Sequence, residues 1–486
     1  MREASKPRNG TAGILQRIFR FLLTPAVLLG TGIVVGVLSS KMPLLLTVTA
    51  FGGMLAFWLT CLRPDLALTL FFCGVVMLTD GVPEGSADYF SIPDMDIVQG
   101  LPSALTTFLL FLFCVVMVRT VFLKKRSLPV SPAWLGVYMG ILLLALLTGI
   151  FRDGDRVLLR RDFMNMFFPV LCFYLCTTLL NSRKRIERLL TALLVVAALK
   201  AVILAAFYLA GRGWPYGGYR VATLDSSDLL VFITLALIVV HLLVRGDISG
   251  FRATAAVAAC APLLFVILFA FRRSQWGGMI LSMGLLYLGA EKMVRRRIAI
   301  LLVLALCAAG AVAVATGLSE EKAARITSRF TSIFDKKQSS NQYHLLESQQ
   351  VLRDLSKSPL SGLGLGSRHS PLGIYEEDTV PTNVVHNTFL YIWMKIGLPG
   401  LAFFIWAAVL YGNRILRFRK HHLHDKAWGL LLPLAASSGV WLTSFLTGPV
   451  PWYFHETFLL ALFAAMGTSL VLQTDSGLKP QPEVPA

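Results

Sequence analysis

The chain has 486 residues, of which 56% are hydrophobic and 15% charged, and its formal net charge at pH 7 is +18. Soluble domains contain about a quarter charged residues, so this composition excludes an ordinary soluble protein and indicates a polytopic membrane protein. A strongly basic chain can bind nucleic acid, but here the positive residues form short patches between apolar runs. That distribution argues against a nucleic-acid partner and is typical of cytoplasmic loops in membrane proteins.

Apolar runs recur along the whole chain, and most are long enough for a membrane-crossing helix. They predict an all-α polytopic membrane protein with about 12–14 transmembrane helices. The runs lie at roughly 21–39, 43–62, 65–79, 104–123, 132–150, 165–180, 189–210, 228–245, 253–271, 275–291, 298–317, 387–412, 427–446 and 454–473. A cytoplasmic N-terminus puts the basic patches inside and the acidic loop 80–103 outside, which is the periplasm in a Gram-negative cell. This pattern predicts a multi-pass inner-membrane protein with both termini in the cytoplasm.

Charge and apolarity divide the chain into five predicted segments. They are a basic cytoplasmic N-terminus (1–20), a transmembrane helix bundle (21–317), a large periplasmic loop (318–386), C-terminal transmembrane helices (387–473) and a cytoplasmic tail (474–486). Within the long loop, residues 319–334 and 341–357 are predicted to form short amphipathic helices, and 358–383 a Pro- and Gly-rich coil. The loop is too small for an independent domain, so we expect it to pack as a lid on the membrane helices.

Arginines on the predicted outer side are exceptions to the positive-inside pattern. They follow the fifth run (Arg152, Arg156, Arg160 and Arg161), the seventh run (Arg212 and Arg220) and the ninth run (Arg272 and Arg273). One interpretation is that each arginine anchors the protein to anionic headgroups. We favour a shared anionic ligand, because a planar guanidinium binds two phosphate oxygens at once. The candidate diphosphate-binding residues are Arg160, Arg161, Arg220, Arg272 and Arg273.

A polar pair, His386-Asn387, closes the long loop and opens a new apolar helix. Asn387 is predicted to cap that helix. The segment Gly397-Leu398-Pro399-Gly400 is predicted to break the helix about ten residues further on, which leaves a half-helix that presents His386. His386 is either part of a capping pair or a site residue. As a site residue it can accept or orient the proton of a hydroxyl nucleophile.

At these residues the sequence resembles the O-antigen ligase and polymerase superfamily of bacterial surface-polysaccharide assembly. His386-Asn387, nine residues, Gly397, two residues and Gly400 match the ligase signature in full. The segment 358–366 resembles the glycine coil of that family through Gly362, Gly364 and Gly366, and 273–277 resembles its Arg turn more weakly. Many relatives carry an Arg three residues before a Glu in the long loop. Here His344 stands at that Arg position before Glu347, and Arg329 or Arg353 is the candidate substitute.

The resemblance implies an inverting, metal-independent membrane glycosyltransferase of the GT-C type that needs no cofactor. Its donor is a glycan on undecaprenyl diphosphate, a polyprenyl-diphosphate-linked substrate. Its acceptor is lipid A–core for a ligase, or a second lipid-linked repeat unit for a polymerase of O-antigen or exopolysaccharide. In this reading His386 is the catalytic residue, and Asn387, Gly397, Gly400 and the coil glycines are structural. A protein O-glycosyltransferase of the same superfamily is a third option.

The residues themselves leave two hypotheses of other classes open. One is a transporter or flippase for an anionic solute, which predicts inverted repeats and charged residues at the membrane midplane. The other is a structural membrane scaffold, which leaves the outer arginines and His386 unexplained.

Two lysines, Lys200 and Lys395, lie inside predicted membrane helices, where an ionisable group is functional by default. The alternatives are that Lys200 faces a crevice and that Lys395 snorkels to the interface. His455 and Glu456, at the outer end of the last run, are further candidates for the same cleft.

Overall fold

The computed structural model describes residues 58–78, 104–118, 120, 132–212, 214–216, 219–223, 226–315, 339–370, 384–448, 450 and 454–475. In these ranges the chain is helical apart from turns, the coil at 358–370 and one short antiparallel hairpin. The first helices are α1 (Pro64–Leu78), α2 (Ala104–Met117), α3 (Pro132–Phe151), α4 (Arg156–Leu179) and α5 (Arg183–Phe207), which ends in a π-turn at Tyr208–Arg212. The hairpin strands β1 (Trp214–Tyr216) and β2 (Tyr219–Val221) follow. The remaining helices are α6 (Ser226–Arg245), α7 (Gly250–Phe269), α8 (Arg273–Gly289), α9 (Lys292–Ala315), α10 (Ser339–Ser356), α11 (Thr388–His422), α12 (Lys426–Ala436), α13 (Ser438–Thr447) and α14 (Phe454–Asp475).

The predicted all-α polytopic class is confirmed. The described residues contain eight helical stretches that are long and apolar enough to cross a membrane. The helices α12 and α13 together form one of these stretches. Two shorter apolar helices, Pro64–Met77 and Thr107–Met117, accompany them. The run at 21–39 and most of the run at 43–62 lie outside the described residues, so the count of 12–14 spans stays a prediction.

The chain divides into two compact units. One unit contains Met1–Phe71 and Thr107–Leu128, and the other contains Phe72–Thr106 and Pro129–Ala486. In the first unit, the rings of Phe71 and Phe108 stack with 6.1 Å between their centroids. The second unit contains the long loop, His386 and the outer arginines.

In the second unit, α8 and α13 pack as an antiparallel pair through small residues. Gly278 of α8 lies against Val440 and Thr443, and the Ser282 hydroxyl accepts a hydrogen bond from the Val440 backbone at 2.9 Å. Near the start of α8, Gln275 donates to the Ser444 hydroxyl at 3.0 Å. The pairing therefore places the N-terminus of α8, which carries the two adjacent arginines, beside the C-terminus of α13.

A buried apolar cluster attaches the loop helix α10 to the membrane helices. Val351 and Leu355 of α10 pack with Leu142 of α3, Met166 of α4 and Tyr391 of α11. The helix at 339–356 agrees with the helix predicted at 341–357. The predicted helix at 319–334 and the coil residues 371–383 lie outside the described residues.

The predicted break in α11 is confirmed at Gly397, whose backbone has φ 73° and ψ 179°. The glycine coil binds directly to this break. Leu360 accepts a hydrogen bond from the Leu398 N–H at 3.0 Å, and the Met394 carbonyl accepts from the Leu363 N–H at 2.7 Å. The two glycine motifs are thus one structure, because the coil supplies the hydrogen bonds that the broken helix lacks.

The same coil also lies against α3 and the start of α4. The Leu365 N–H donates to the Ala145 carbonyl at 3.2 Å, and Gly149 lies so close to Leu365 that a Cβ atom would overlap its carbonyl oxygen. Gly364 and Gly366 both have positive φ, and a Cβ on either would overlap backbone. Glycine is required here because the coil runs in contact with helix backbone.

We expect Gly397→Ala to destabilise the protein, whereas Gly412→Ala in the same helix should not. The Gly397 conformation is essentially restricted to glycine and costs about 1–3 kcal/mol for another residue. A Cβ there would also lie 2.5 Å from the Leu360 carbonyl oxygen, whereas at Gly412 it would meet nothing within 4 Å. Thermal unfolding of the purified variants in detergent measures this difference. Equal melting temperatures for the two variants would contradict the role given to Gly397.

The structure corrects the predicted boundary before the sixth run. The gap between the fifth and sixth apolar runs predicts a loop that carries Arg156, Arg160 and Arg161, but α4 begins at Arg156 and includes all three. Asp155 caps this helix by accepting hydrogen bonds from the Val157 and Leu158 N–H groups at 2.9 and 3.2 Å. An N-terminal cap followed by an amphipathic first turn extends the helix beyond its apolar run.

Candidate functional site

His386 lies directly before α11 and is held by the loop helix α10. Its neighbour Asn387 caps α11, as predicted, by accepting hydrogen bonds from the Phe389 and Leu390 N–H groups at 3.0 and 3.2 Å. The capping role thus belongs to the Asn387 side chain and leaves the His386 imidazole available. The His386 side chain is 36% exposed.

Glu347 of α10 binds His386 with both carboxylate oxygens. Oε2 accepts from the His386 backbone N–H at 2.8 Å, and Oε1 lies 3.0 Å from the ring Nδ1. Glu347 is 1% exposed. A buried carboxylate at Nδ1 keeps the proton on that nitrogen, so that Nε2 carries the free lone pair. Nε2 makes no hydrogen bond to any residue in the described part of the chain.

His344 lies one turn before Glu347 on the same face of α10. Its ring centroid is 4.9 Å from that of His386, and the Tyr343 ring lies 6.0 Å from His386. Its Nδ1 is buried and has no hydrogen-bond partner among the described residues. Burial lowers the pKa of His344, and the nearby His386 and Arg273 lower it further, while Glu347 opposes them. A neutral imidazole therefore occupies the place where the resemblance expects a guanidinium.

Arg272 and Arg273 lie at the start of α8, the end of that helix that adjoins the site. Arg272 is the N-cap residue of α8, and Arg273, its first residue, is close enough to act electrostatically on His344. The first turn of α11 is tied to the same end of the α8–α13 pair. There the Thr388 hydroxyl donates to the Gly448 carbonyl at 2.8 Å and accepts from the Val450 N–H at 3.2 Å.

The hairpin that carries Arg220 is attached nearby. Arg220 pairs with Pro215 across the hairpin, and the Ala222 N–H donates to the Phe269 carbonyl at 2.9 Å. Phe269 ends α7, three residues before Arg272. The backbone at Arg220 is therefore held near the start of α8.

Arg160 and Arg161 occupy a different position, in the second turn of α4, and both are exposed. Their neighbour Asp162 is buried and forms an ion pair with Lys395 of α11. Lys395 is nine residues after His386, which corresponds to about 13 Å along the helix axis. Asp162 also accepts from the Gly366 N–H at 2.8 Å. Arg161 is close enough to act electrostatically on Tyr391 in the first turn of α11, whereas Arg273 acts on His344.

The remaining loop candidates differ in placement. Arg353 is exposed and lies nine residues after His344. Nine residues are two and a half helical turns, so Arg353 is on the side of α10 opposite His344. Arg329 lies outside the described residues. Arg152 donates to the Gly362 carbonyl at 3.0 Å and to the Ser358 hydroxyl at 2.7 Å, and so links the turn after α3 to the glycine coil.

The two intramembrane lysines form buried ion pairs. Lys395 does not snorkel: it is fully buried, 2.7 Å from an Asp162 oxygen, and also donates to the Ser367 carbonyl at 2.7 Å. Lys200 lies 2.6 Å from Asp228 and donates to the Val76 carbonyl at 3.0 Å. Near the latter pair, the Ser226 hydroxyl donates to Glu456 at the start of α14. Neither pair nor Glu347 was given a role from sequence.

Comparison with known families agrees with this arrangement. A family model described as O-antigen ligase matches residues 255–405. The matched stretch contains the start of α8, the Glu347–His386 pair, the glycine coil and the break at Gly397. Comparison with curated proteins gave no match.

Proposed function

We propose that this chain, which belongs to the O-antigen ligase and polymerase superfamily, transfers a glycan from undecaprenyl diphosphate to a sugar hydroxyl at the periplasmic face of the bacterial inner membrane. It is a multi-pass membrane protein of a glycosyltransferase type. The proposed acceptor is lipid A–core, which makes the enzyme a ligase. The observation that carries the proposal is the Glu347–His386 pair, which leaves Nε2 as a free proton acceptor.

In the proposed reaction His386 acts as the general base. Nε2 takes the proton of the acceptor hydroxyl as its oxygen forms a bond to the anomeric carbon of the donor. The bond from that carbon to the phosphate oxygen breaks, and undecaprenyl diphosphate leaves with the electron pair. Attack opposite the leaving group inverts the anomeric centre. Glu347 stabilises the imidazolium that forms, because its carboxylate stays hydrogen-bonded to Nδ1.

Positive side chains stabilise the leaving diphosphate in this proposal. Arg273 is the best-supported candidate, since it lies near His344 and at the end of α8 that adjoins the first turn of α11. Arg272 and Arg220 belong to the same neighbourhood through the backbone contact at Phe269. Arg160 and Arg161 are proposed to bind another part of the donor from the second turn of α4, where Arg161 acts electrostatically on Tyr391. Fixed guanidinium groups supply this stabilisation without a divalent metal ion.

The test is transfer by the purified full chain in detergent, with a glycan on undecaprenyl diphosphate as donor and EDTA present. One reaction contains lipid A–core, and a second contains only the lipid-linked unit. We expect product on lipid A–core, formed ~10²–10⁴-fold more slowly by His386→Ala. His421→Ala, which changes an exposed histidine at the other end of α11, should form product at the native rate.

Each other result changes the proposal in a defined way. Glycan ladders formed without lipid A–core would make the enzyme a polymerase. Product that requires added Mg²⁺ would overturn the metal-independent mechanism. Transfer by His386→Ala at the native rate would remove His386 from catalysis.

A further inference from the structure

Three metal-ligating side chains meet at the proposed base. One ligand atom from each of His344, Glu347 and His386 lies within 4.8 Å of the other two. His344 and Glu347 are three residues apart on one helix face, which is a common way for a helix to give two ligands to one ion. His386 supplies the third ligand from another element.

The distances suit a small transition-metal ion. Tetrahedral Zn²⁺ with nitrogen and oxygen ligands at about 2.0–2.2 Å places those ligands roughly 3.3 Å apart. His386 Nδ1 and Glu347 Oε1 are already 3.0 Å apart. The buried Nδ1 of His344 has no protein partner among the described residues, so it can turn to an ion without losing a hydrogen bond.

We propose that His344, Glu347 and His386 form a binding site for a transition-metal ion such as Zn²⁺, and that the ion inhibits the enzyme. The inhibitory part rests on the function proposed above. An ion on His386 Nδ1 displaces the proton from that nitrogen, and the neutral imidazole then carries its proton on Nε2. A protonated Nε2 cannot accept a proton from the acceptor hydroxyl. Metal binding and base catalysis are therefore mutually exclusive at His386.

The charges around the site act on the ion in opposite directions. Glu347 contributes one negative charge to the site, while Arg273 acts electrostatically on His344 and opposes a second positive charge. Imidazole ligands select Zn²⁺, Co²⁺ or Ni²⁺ over Mg²⁺. We therefore expect the ion to exchange with solution and to act as a reversible inhibitor.

Metal binding can be tested without any activity. The full chain is stripped with EDTA, exchanged into detergent buffer and titrated with Co²⁺, whose visible absorption becomes intense in a four-coordinate nitrogen and oxygen site. We expect a saturable band that Zn²⁺ displaces. The band should be lost in His344→Gln and His344→Arg and kept in His424→Gln, which alters an exposed histidine paired with Glu291. Unfolding temperatures confirm that each variant is folded.

Inhibition is measured separately in the transfer assay. We expect Zn²⁺ to abolish transfer and EDTA to restore it. The inhibitory concentration should rise more than about tenfold in His344→Gln, with each rate expressed relative to the metal-free rate of the same variant. Absence of the cobalt band in folded native protein overturns the site. A band without inhibition in an active enzyme overturns the inhibitory role, whereas an inactive native enzyme that still shows the band contradicts only the proposed function.

Discussion

His386→Ala and Glu347→Gln are each expected to lower the rate of transfer by ~10²–10⁴-fold, and the double variant should be no slower than His386→Ala alone. Alanine removes the proton acceptor. Glutamine keeps the size of Glu347 but loses the charge that fixes the proton on Nδ1 and stabilises the imidazolium. Because Glu347 acts only through His386 in this mechanism, its effect disappears once the imidazole is gone.

The measurement is a double-mutant cycle that compares the native protein, the two single variants and the double variant. For each protein the initial transfer rate is determined at saturating donor and acceptor. The control is Asp354→Asn, which makes the same carboxylate-to-amide change on the same helix. Asp354 is also buried, but it binds the Ser370 backbone N–H at 2.8 Å and the Ser370 hydroxyl at 3.0 Å rather than His386. Asp354→Asn should lower the transfer rate only slightly. In the double variant with His386→Ala, the factor by which Asp354→Asn lowers the rate should be the same as in the native protein. If the effects of Glu347→Gln and His386→Ala also multiply, then Glu347 does not act through the imidazole.

Much of this region follows from local sequence signals. The Asn387 cap and the break at Gly397 depend on residues that are close together in the chain, so their chemistry can be predicted from spacing alone. The helix at 339–356 was likewise visible from its amphipathic pattern, with boundaries correct to two residues. Short-range patterns are reliable here because backbone hydrogen bonding decides them.

The long-range partners could not be predicted in the same way. Glu347 and His386 are separated by 39 positions in the chain, and Asp162 and Lys395 are on helices that only tertiary packing brings together. A buried lysine and a snorkelling lysine have the same sequence signature, an ionisable residue in an apolar run. The available signal for Glu347 was its spacing from His344, since residues three apart on a helix face the same way.

Lys395→Met is expected to destabilise the protein by about 3–5 kcal/mol, because it leaves the Asp162 charge buried without its cation. Both side chains are 0% exposed. Of its partners in the described part of the chain, Asp162 would retain the Gly366 N–H at 2.8 Å and the Tyr391 hydroxyl at 3.0 Å. Asp162 binds the end of the glycine coil, and the coil forms hydrogen bonds to the break in α11. We therefore expect the half-helix that carries His386 to be destabilised as well.

Thermal unfolding in detergent compares Lys395→Met with the double variant Asp162→Asn/Lys395→Met and with Arg183→Met. The double variant removes the uncompensated charge and keeps a carbonyl acceptor for Gly366, so it should regain much of the lost stability. Arg183 makes an ion pair of 2.6 Å with Glu187, but their side chains are 34% and 43% exposed. Water replaces an exposed partner, so Arg183→Met should cost less than about 1 kcal/mol. Equal losses for Lys395→Met and the double variant would mean that the buried charge of Asp162 is not the cause, and that Lys395 stabilises the coil through the Ser367 carbonyl instead.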